Sequence, residues 1–194
     1  LREDYCRFSA DTKKDPQMFA HLSKAAQELW ALYQTDYPEM SKCFAAEASQ
    51  IDNDWMKTGT PFSTININKN FAIKYHVDAG NVATVYSNVL ISKKLAEGGY
   101  FVMPEYRLAL AQDDGWMAIV DGVNVAHGVT PITFLGKGSW RNSFVFYTLS
   151  NLKHCECKTK EVARMKVKAT ERAIKRAAGN VDLVNLQTKR LESV

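Results

Sequence analysis

A change in the spacing of apolar residues constrains the fold of this chain more than any other feature. From about residue 61 to 150, apolar and polar residues alternate, which is the two-residue period of β-strands. The stretches on either side repeat their apolar residues at three- and four-residue steps, as helices do. Turn-forming residues divide the middle stretch at Glu97-Gly98-Gly99, Asp113-Asp114-Gly115, Asp121-Gly122 and Gly136-Lys137-Gly138. Many short strands between helical flanks predict an α+β fold built on a sandwich or barrel.

The alternation also predicts individual strands. They lie around Ile65 and Ile67 and over residues 71–77, 85–92, 100–103, 116–120 and 143–149. One face of the 71–77 strand is apolar and is expected to pack outward against the helices; it consists of Phe71, Ile73, Tyr75 and Val77. The opposite face carries His76 and continues to Asp78.

Three helices are predicted in the flanks. Asp15-Pro16 is typical of a helix start, with a capping acid before a proline in the first turn. The apolar stripe that follows consists of Phe19, Leu22, Ala26, Leu29 and Tyr33. A shorter helix is expected after Pro38, and a last one is expected to stop at Gly179-Asn180.

Positive charge is concentrated at the C-terminal end. The chain carries a formal net charge of +4, and the stretch from Lys153 onward holds eleven Lys or Arg residues against five acidic ones. Such a basic helix can bind nucleic-acid phosphates, or it can simply be a solvated helix face. We expect one domain in three parts: helical support over 1–60, a strand-rich core over 61–150 and a basic helical arm over 151–194.

The cysteines are few and scattered, at Cys6, Cys43, Cys155 and Cys157, which favours free thiols in a reducing, intracellular setting. The segment His154-Cys155-Glu156-Cys157 offers metal-binding side chains. Zinc is a weak alternative there, because zinc-binding cysteine pairs are spaced more widely. The sequence contains no run of about 18 apolar residues, so no membrane-spanning helix is predicted. The first residues lack the apolar core of a signal peptide.

His76 and Asp78 are the strongest candidates for chemistry. Residues i and i+2 of a strand share a face, so both side chains can reach one ion. An imidazole and a carboxylate are two of the three ligands in the facial triad that holds non-haem iron(II). The same pair also fits a structural role, in which His76 bonds to Asp78.

A third ligand has to come from elsewhere in the fold. The candidates are His21, in a helical stretch, His154, in the charged arm, and His127. His127 is preferred, because it follows a predicted strand and a turn and has Gly128 beside it, which permits close backbone approach. Arg141, with Ser143 on the same strand face, suits a bidentate clamp for a carboxylate.

Four segments in chain order resemble one enzyme family. They are FSTININKNFAIKYHVDAGNV, EGGYFVMPEY, VDGVNVAHGVTPI and WRNSFVFYTL, which together span about residues 61–150. They resemble the iron(II)- and 2-oxoglutarate-dependent dioxygenases, and more closely the TET/JBP branch with its compact phage and viral members. That branch oxidises the 5-methyl group of pyrimidine bases in nucleic acid.

The resemblance implies a double-stranded β-helix, a jelly-roll barrel with iron at one mouth. It implies His76, Asp78 and His127 as the iron(II) ligands, with O2 as a co-reactant. Arg141 would bind the distal carboxylate of 2-oxoglutarate, and Ser143 would assist. Asn68 has the same parity as His76 and would either bond the cosubstrate or be ordinary solvated strand polarity.

Three further residues are candidates for substrate binding. Asn81 lies three residues beyond the metal aspartate, at the position that contacts the target base in TET-like enzymes. An amide both donates and accepts, so it can read a pyrimidine edge, although asparagine is equally typical of a turn after Gly80. Tyr106 and Arg107 follow a predicted strand and are placed on a substrate-facing loop.

The function predicted from the resemblance is oxidation of 5-methylcytosine, or of the methyl group of thymine, in DNA. The target base would have to leave the duplex, because a stacked methyl group cannot reach a buried site. One alternative is a 2-oxoglutarate-dependent hydroxylase of a protein or small molecule. A second is a DNA-binding jelly-roll without catalysis.

Overall fold

The computed structural model describes residues 6–7 and 15–191, with side chains as far as residue 179. Its helices are α1 (Pro16–Asp36), α2 (Pro38–Ala48) and α3 (Lys158–Leu191). Short 3-10 turns lie at Asn53–Trp55, Pro104–Tyr106 and Ser150–His154. Within the described ranges, none of the helices combines the length and the apolar character needed to cross a membrane.

The start of α1 follows from its sequence. The Asp15 side chain accepts a hydrogen bond from the Met18 N–H at 2.8 Å, so it caps an otherwise unpaired donor, and Pro16 occupies the first helical position. The predicted stripe is buried in its second half, where Ala26, Leu29 and Tyr33 face the protein interior.

The strands are β1 (Thr64–Lys69), β2 (Ser87–Lys94), β3 (Ala96–Gly98), β4 (Phe101–Met103), β5 (Leu108–Leu110), β6 (Met117–Val120), β7 (Gly128–Val129), β8 (Ile132–Phe134) and β9 (Trp140–Tyr147). They form a four-stranded sheet in the order β1-β9-β2-β6, a three-stranded sheet in the order β5-β4-β7 and the pair β3-β8. All pairs among the described strands are antiparallel.

Two apolar clusters lie on opposite sides of the four-stranded sheet. Helices α1 and α2 pack on one side, in a cluster of Ala26, Leu29, Trp30, Tyr33, Phe44, Phe62, Val82, Val85 and Phe146. On the other side, Val89 and Ile91 of β2 pack with Phe101 of β4. The α+β prediction is confirmed as a mixed fold of helices and antiparallel sheets, whereas the closed jelly-roll barrel stays a prediction, because the described strands form separate sheets.

The predicted 71–77 strand is wrong. This segment is a loop, and only His76 within it forms a bridge, to His127. Phe71, Tyr75 and Val77 are 55%, 62% and 46% exposed, so they do not pack against the helices. The cause lies just before the loop, where Asn70 adopts a positive φ of 54° and turns the chain out of the direction of β1.

Two other boundaries differ from the predictions. Helix α3 continues through Gly179-Asn180 to Leu191, so the predicted stop is wrong. A glycine inside a helix costs about 1 kcal/mol, which does not by itself end a long helix. The last strand begins at Trp140, so Arg141 lies inside β9 rather than ahead of it.

The expectation of free cysteines is wrong for Cys6 and Cys155, which form a disulfide, whereas Cys43 and Cys157 are free. The bridge packs against Ile51 and Trp55 and links positions that are 149 residues apart. Such a pair depends on tertiary proximity, which the spacing of cysteines does not reveal. Because Cys155 is bonded to Cys6, the His154–Cys157 segment does not offer two thiolates to zinc.

We predict that Tyr33→Phe destabilises the fold by about 1–3 kcal/mol. Tyr33 is buried on α1, and its hydroxyl donates to Oδ1 of the buried Asn88 at 2.7 Å, so the variant leaves this acceptor unsatisfied. Tyr37→Phe is the matched control, because that ring is 48% exposed. Urea unfolding measures the difference, and equal unfolding free energies for the two variants would contradict the prediction.

Candidate active site

Backbone hydrogen bonds bring the His76–Asp78 loop against the segment that leads into β7. The N–H of His76 donates to the His127 carbonyl at 2.9 Å, and the His127 N–H returns a bond of the same length. The Asp78 N–H donates to the Gly122 carbonyl at 2.7 Å. The loop therefore has a definite register against its partner, although it is not part of a strand.

The side chains of His76, Asp78 and His127 converge. Nε2 of His76 lies 3.5 Å from Oδ1 of Asp78, and Nε2 of His127 lies 4.0 Å from Oδ2 of Asp78. One ligand atom from each residue lies within 4.8 Å of the others. Within the part of the chain that the structure describes, no other group of three His, Cys, Asp or Glu residues meets this arrangement.

Backbone carbonyls set the tautomer of both imidazoles. Nδ1 of His76 lies 2.8 Å from the Lys74 carbonyl oxygen, and Nδ1 of His127 lies 2.9 Å from that of Val125. A carbonyl oxygen only accepts, so each Nδ1 carries the hydrogen and each Nε2 presents a lone pair. This is the tautomer that an Nε2-coordinated metal requires.

Asp78 is held mainly through one of its oxygens. Oδ2 accepts hydrogen bonds from Oγ of Ser87 at 3.1 Å and from Nδ2 of Asn81 at 3.2 Å. Nδ2 of Asn81 also donates to Oγ of Ser87 at 3.1 Å. Behind the carboxylate lies Gly122, where a Cβ atom would collide with Oδ2. These neighbours fix the carboxylate and leave Oδ1 toward His76.

A cavity of about 220 Å³ opens beside the three side chains. One wall is β9, whose alternate residues share a face and line the cavity along the length of the strand: Arg141, Ser143, Val145 and Tyr147. Burial raises the pKa of the Tyr147 hydroxyl, and the negative charge of Asp78 adds to the shift. Asn66 and Asn68 of β1 lie beside this wall.

Arg141 lies at one end of this wall and is only 2% exposed. Its Nη2 donates to the Gly99 carbonyl at 2.8 Å, whereas its Nε has no hydrogen-bond partner. Burial lowers the pKa of the guanidinium group, and no carboxylate of the described residues offsets that effect. A buried cation without an internal counter-ion favours binding of an anionic ligand.

Two neighbours position Arg141. Gly99 has a positive φ of 63°, and a Cβ atom there would lie 2.6 Å from Nε of Arg141, so only glycine leaves room for the guanidinium group. The Arg141 backbone N–H donates to Oδ1 of Asn70 at 2.9 Å. The residue that directly follows β1 therefore also anchors the start of β9.

The remaining predicted site residues differ in where they lie. Nδ2 of Asn68 donates to Oγ of Ser143 at 3.2 Å, and both residues line the cavity. Asn81 lines it too, with its amide nitrogen directed at Asp78. Tyr106, which is 65% exposed, and Arg107 lie at the Pro104–Tyr106 turn and are not part of the cavity wall. Their predicted role on a substrate-facing loop stays a prediction.

Sequence reasoning did not find Ser87, Gly99 or Gly122 as site residues. Both glycines belong to turn signals in the sequence. A glycine also permits close approach of another group, and that property is the only signal in the sequence for their role here. Ser87 opens an apolar strand and has no distinguishing neighbour in the sequence. Its role follows only from the tertiary contact with Asp78.

Residues 2–150 match the Tet_JBP family, described as the oxygenase domain of the 2OGFeDO superfamily. The match covers well over half of the chain, so the chain belongs to this family and is a dioxygenase. The resemblance carried by residues 61–150 is therefore confirmed, and the match extends it across α1 and α2.

One curated relative is the bifunctional helicase and thymine dioxygenase JBP2 of Trypanosoma brucei brucei (strain 927/4 GUTat10.1). It is 26% identical over 163 residues, a match that covers 83% of this chain but only 15% of that protein. Among solved structures, NgTET1 in complex with 5mC DNA aligns with a TM-score of 0.65 and 13% identity, covering 86% of this chain and 66% of that one. This likeness shows a shared fold of helices and antiparallel sheets.

The site fits the groups that the 2OGFeDO superfamily implies, namely iron(II), 2-oxoglutarate and O2. Two imidazole nitrogens and one carboxylate oxygen are the donor set of the facial triad of non-haem iron(II) oxygenases. The unpartnered Nε of the buried Arg141 fits a carboxylate of the cosubstrate.

We predict that Ser87→Ala lowers the affinity for iron(II) about tenfold, because loss of a residue that orients a metal ligand typically costs that much. Ser92→Ala is a closely matched control: Ser92 is also on β2, and its Oγ also bonds an aspartate, Asp114 at 3.1 Å, outside the cavity wall. Metal titration against a competing chelator measures both affinities. Equal affinities in the two variants would rule out a positioning role for Ser87.

Proposed function

We propose that this chain oxidises the 5-methyl group of a pyrimidine base in DNA, using iron(II), 2-oxoglutarate and O2. One observation carries the proposal: a single cavity is lined both by three converging side chains that can bind a metal and by a buried arginine with no counter-ion among the described residues. The names of the two relatives support the substrate, since one is a thymine dioxygenase and the other is complexed with 5mC DNA.

His76, Asp78 and His127 would hold the iron through Nε2, a carboxylate oxygen and Nε2. A facial triad leaves further coordination positions for the cosubstrate and O2. Iron(II) bound there supplies O2 activation coupled to decarboxylation of 2-oxoglutarate, so that one oxygen atom ends in succinate and the other on the methyl carbon. The protein contributes ligands that are already oriented by the Lys74 and Val125 carbonyls.

Arg141 would anchor the carboxylate of 2-oxoglutarate that lies farther from the metal. Its burial excludes water, so a charge-assisted hydrogen bond there is stronger than on the surface. Ser143 follows Arg141 on the same face of β9 and lines the same cavity, and Asn68 is bonded to it. These two polar side chains would hold the cosubstrate in the orientation in which its other end reaches the metal.

Asn81 would contact the target base next to its methyl group. The carboxylate of Asp78 only accepts hydrogen bonds, so it must face the amide nitrogen of Asn81, which leaves the acceptor Oδ1 for a ligand. In cytosine the group adjacent to the 5-methyl carbon is an amino donor, whereas in thymine it is a carbonyl acceptor. The orientation of Asn81 therefore favours 5-methylcytosine over thymine.

The basic helix α3 would contribute contacts to DNA phosphates. Near its start, Lys160 and Arg164 form ion pairs with Glu156 at 2.9 Å and 2.6 Å, so these two cations already have partners. Lys166, Lys175 and Arg176 lie farther along the helix and are the better candidates for phosphate contacts. A base flipped out of the duplex would then enter the cavity.

Mass spectrometry of nucleosides tests the reaction and the base together. The protein is incubated with iron(II), 2-oxoglutarate, O2 and a duplex that carries 5-methylcytosine at defined positions. We expect 5-hydroxymethylcytosine together with succinate, and little 5-hydroxymethyluracil. Asp78→Ala should abolish both products because it removes a metal ligand, whereas Asp36→Ala, an exposed carboxylate at the end of α1, should leave them unchanged.

Each contrary result removes a different part of the proposal. 5-Hydroxymethyluracil as the main product would overturn the choice of base. Succinate formation that is coupled to a peptide pool and not to DNA would favour a protein hydroxylase. Full turnover by Asp78→Ala would refute the assignment of the metal ligands.

We also predict that Arg141→Met removes binding of 2-oxoglutarate, because the methionine keeps an apolar stem without the charge. In the wild-type protein loaded with iron(II) without O2, 2-oxoglutarate at 100 times its Kd should add about 2.7 kcal/mol of stability. The variant should lose this thermal shift and still bind iron. Arg107→Met is the control, because that arginine is not part of the cavity wall. An unchanged shift in Arg141→Met would refute the assignment.

A further inference from the structure

A second groove, of about 520 Å³, adjoins the catalytic cavity. The two share three wall residues, Asn66, Tyr147 and Leu149, so they lie side by side at that point. The groove runs between α1 and the outer strand β1, and its wall includes Phe19 and Lys57. Its lining contains two cations, Arg7 and Lys57, and no carboxylate among the described residues.

The groove opens at the end of the cavity that is opposite to Arg141. Along β9 the cavity wall runs from Arg141 through Ser143 to Tyr147, and β1 runs beside it with Asn68 opposite Ser143 and Thr64 opposite Tyr147. The groove contacts the Thr64 and Tyr147 end of this pair. A cosubstrate anchored at Arg141 would therefore leave the groove end for the substrate.

Lys57 is held in place by the backbone. Its N–H donates to the Phe62 carbonyl at 2.7 Å, and its own carbonyl accepts from the Thr60 N–H at 2.9 Å, so the residue is fixed in a tight turn. The side chain crosses the ring of Phe19, with Nζ at 4.7 Å from the ring centroid. The cation is thus held over the groove instead of extending into solvent.

The charge of Lys57 has no acidic partner among the described residues. Burial is the cause that lowers the pKa of its ammonium group, and no carboxylate offsets it. An anion in the groove would relieve the cost of placing this cation in a partly buried position. Arg7 adds a second cation to the same groove, and its neighbour Cys6 is anchored by the disulfide to Cys155 and by a bond from its N–H to the buried Glu161 at 2.7 Å.

We propose that this groove binds the DNA strand that carries the target nucleotide, with Lys57 contacting a phosphate next to the flipped base and Arg7 supporting it. The inference rests on the proposed function, since a groove beside the catalytic cavity matters for DNA only if a base enters that cavity. In this proposal, the DNA contacts nearest to the reacting methyl group lie along the outer edge of β1.

The test compares DNA binding by Lys57→Met, Lys57→Arg and Lys42→Met. The methionine keeps the stem over Phe19 and removes the charge, and the arginine restores the charge. Lys42→Met is matched in net charge, and Lys42 is an exposed lysine on α2 whose Nζ pairs with Glu39 at 2.7 Å. Fluorescence anisotropy measures binding of a 5-methylcytosine duplex at several salt concentrations, with iron(II) and 2-oxoglutarate present and O2 excluded.

We expect Lys57→Met to weaken binding about tenfold, the value of one charge-assisted hydrogen bond. It should also reduce the slope of log affinity against log salt by about one, the mark of a lost phosphate contact. Lys57→Arg should keep affinity within about twofold of the wild type, and Lys42→Met should change neither quantity.

Two results would overturn the groove assignment. The first is a Lys57→Met variant that binds DNA with the affinity and the salt slope of the wild type. The second is an equal loss of DNA affinity in Lys57→Met and Lys57→Arg with an unchanged salt slope, which would indicate lost packing. If the wild type oxidises DNA and either result is found, only the groove assignment fails. If the wild type neither binds nor oxidises DNA, the proposed function fails and the groove assignment fails with it.

Discussion

The site depends on the reciprocal backbone pairing of His76 and His127. Each N–H donates to the carbonyl of the other residue at 2.9 Å, and this pairing joins a loop to the segment before β7. The rings then lie with their centroids 4.5 Å apart, and the buried His127 ring also stacks on Phe101 of the three-stranded sheet at 5.4 Å. Ligands on loops are held precisely enough for a metal only when the backbone that carries them is itself hydrogen-bonded.

The polar groups of the site divide into those that the protein satisfies and those that it leaves available. Both Nδ1 atoms and Oδ2 of Asp78 are bonded to the protein, whereas both Nε2 atoms face the shared space. At the other end of the cavity, Arg141 has one bonded nitrogen and one unpartnered nitrogen. Buried polar groups are normally paired, so this distribution fits the proposal of a metal at one end of the cavity and an anion at the other.

Much of the architecture could be predicted because it depends on local rules. The capped start of α1, the short helix after Pro38 and the alternation of β1 and β9 each follow from spacing within a few residues. The prediction of a strand over 71–77 was wrong because an alternating pattern also fits an extended loop. The positive φ at Asn70 is not encoded by that pattern. The prediction of free thiols at Cys6 and Cys155 was wrong for a different reason, since their disulfide joins residues that only the folded chain brings together.

By itself, the sequence determined that helices flank a strand-rich core, and it predicted His76, Asp78, His127 and Arg141 as residues of the site. Spacing and motif order are properties of the sequence, so they can be recognised without the three-dimensional structure. Only the tertiary structure decided how these residues are held: by Ser87 behind Asp78 and by Gly99 beside Arg141. It also decided that Lys57 lines a groove that shares wall residues with the cavity. The physical reason is that hydrogen bonds, close approach and burial depend on distances across the fold, which separation along the chain does not determine.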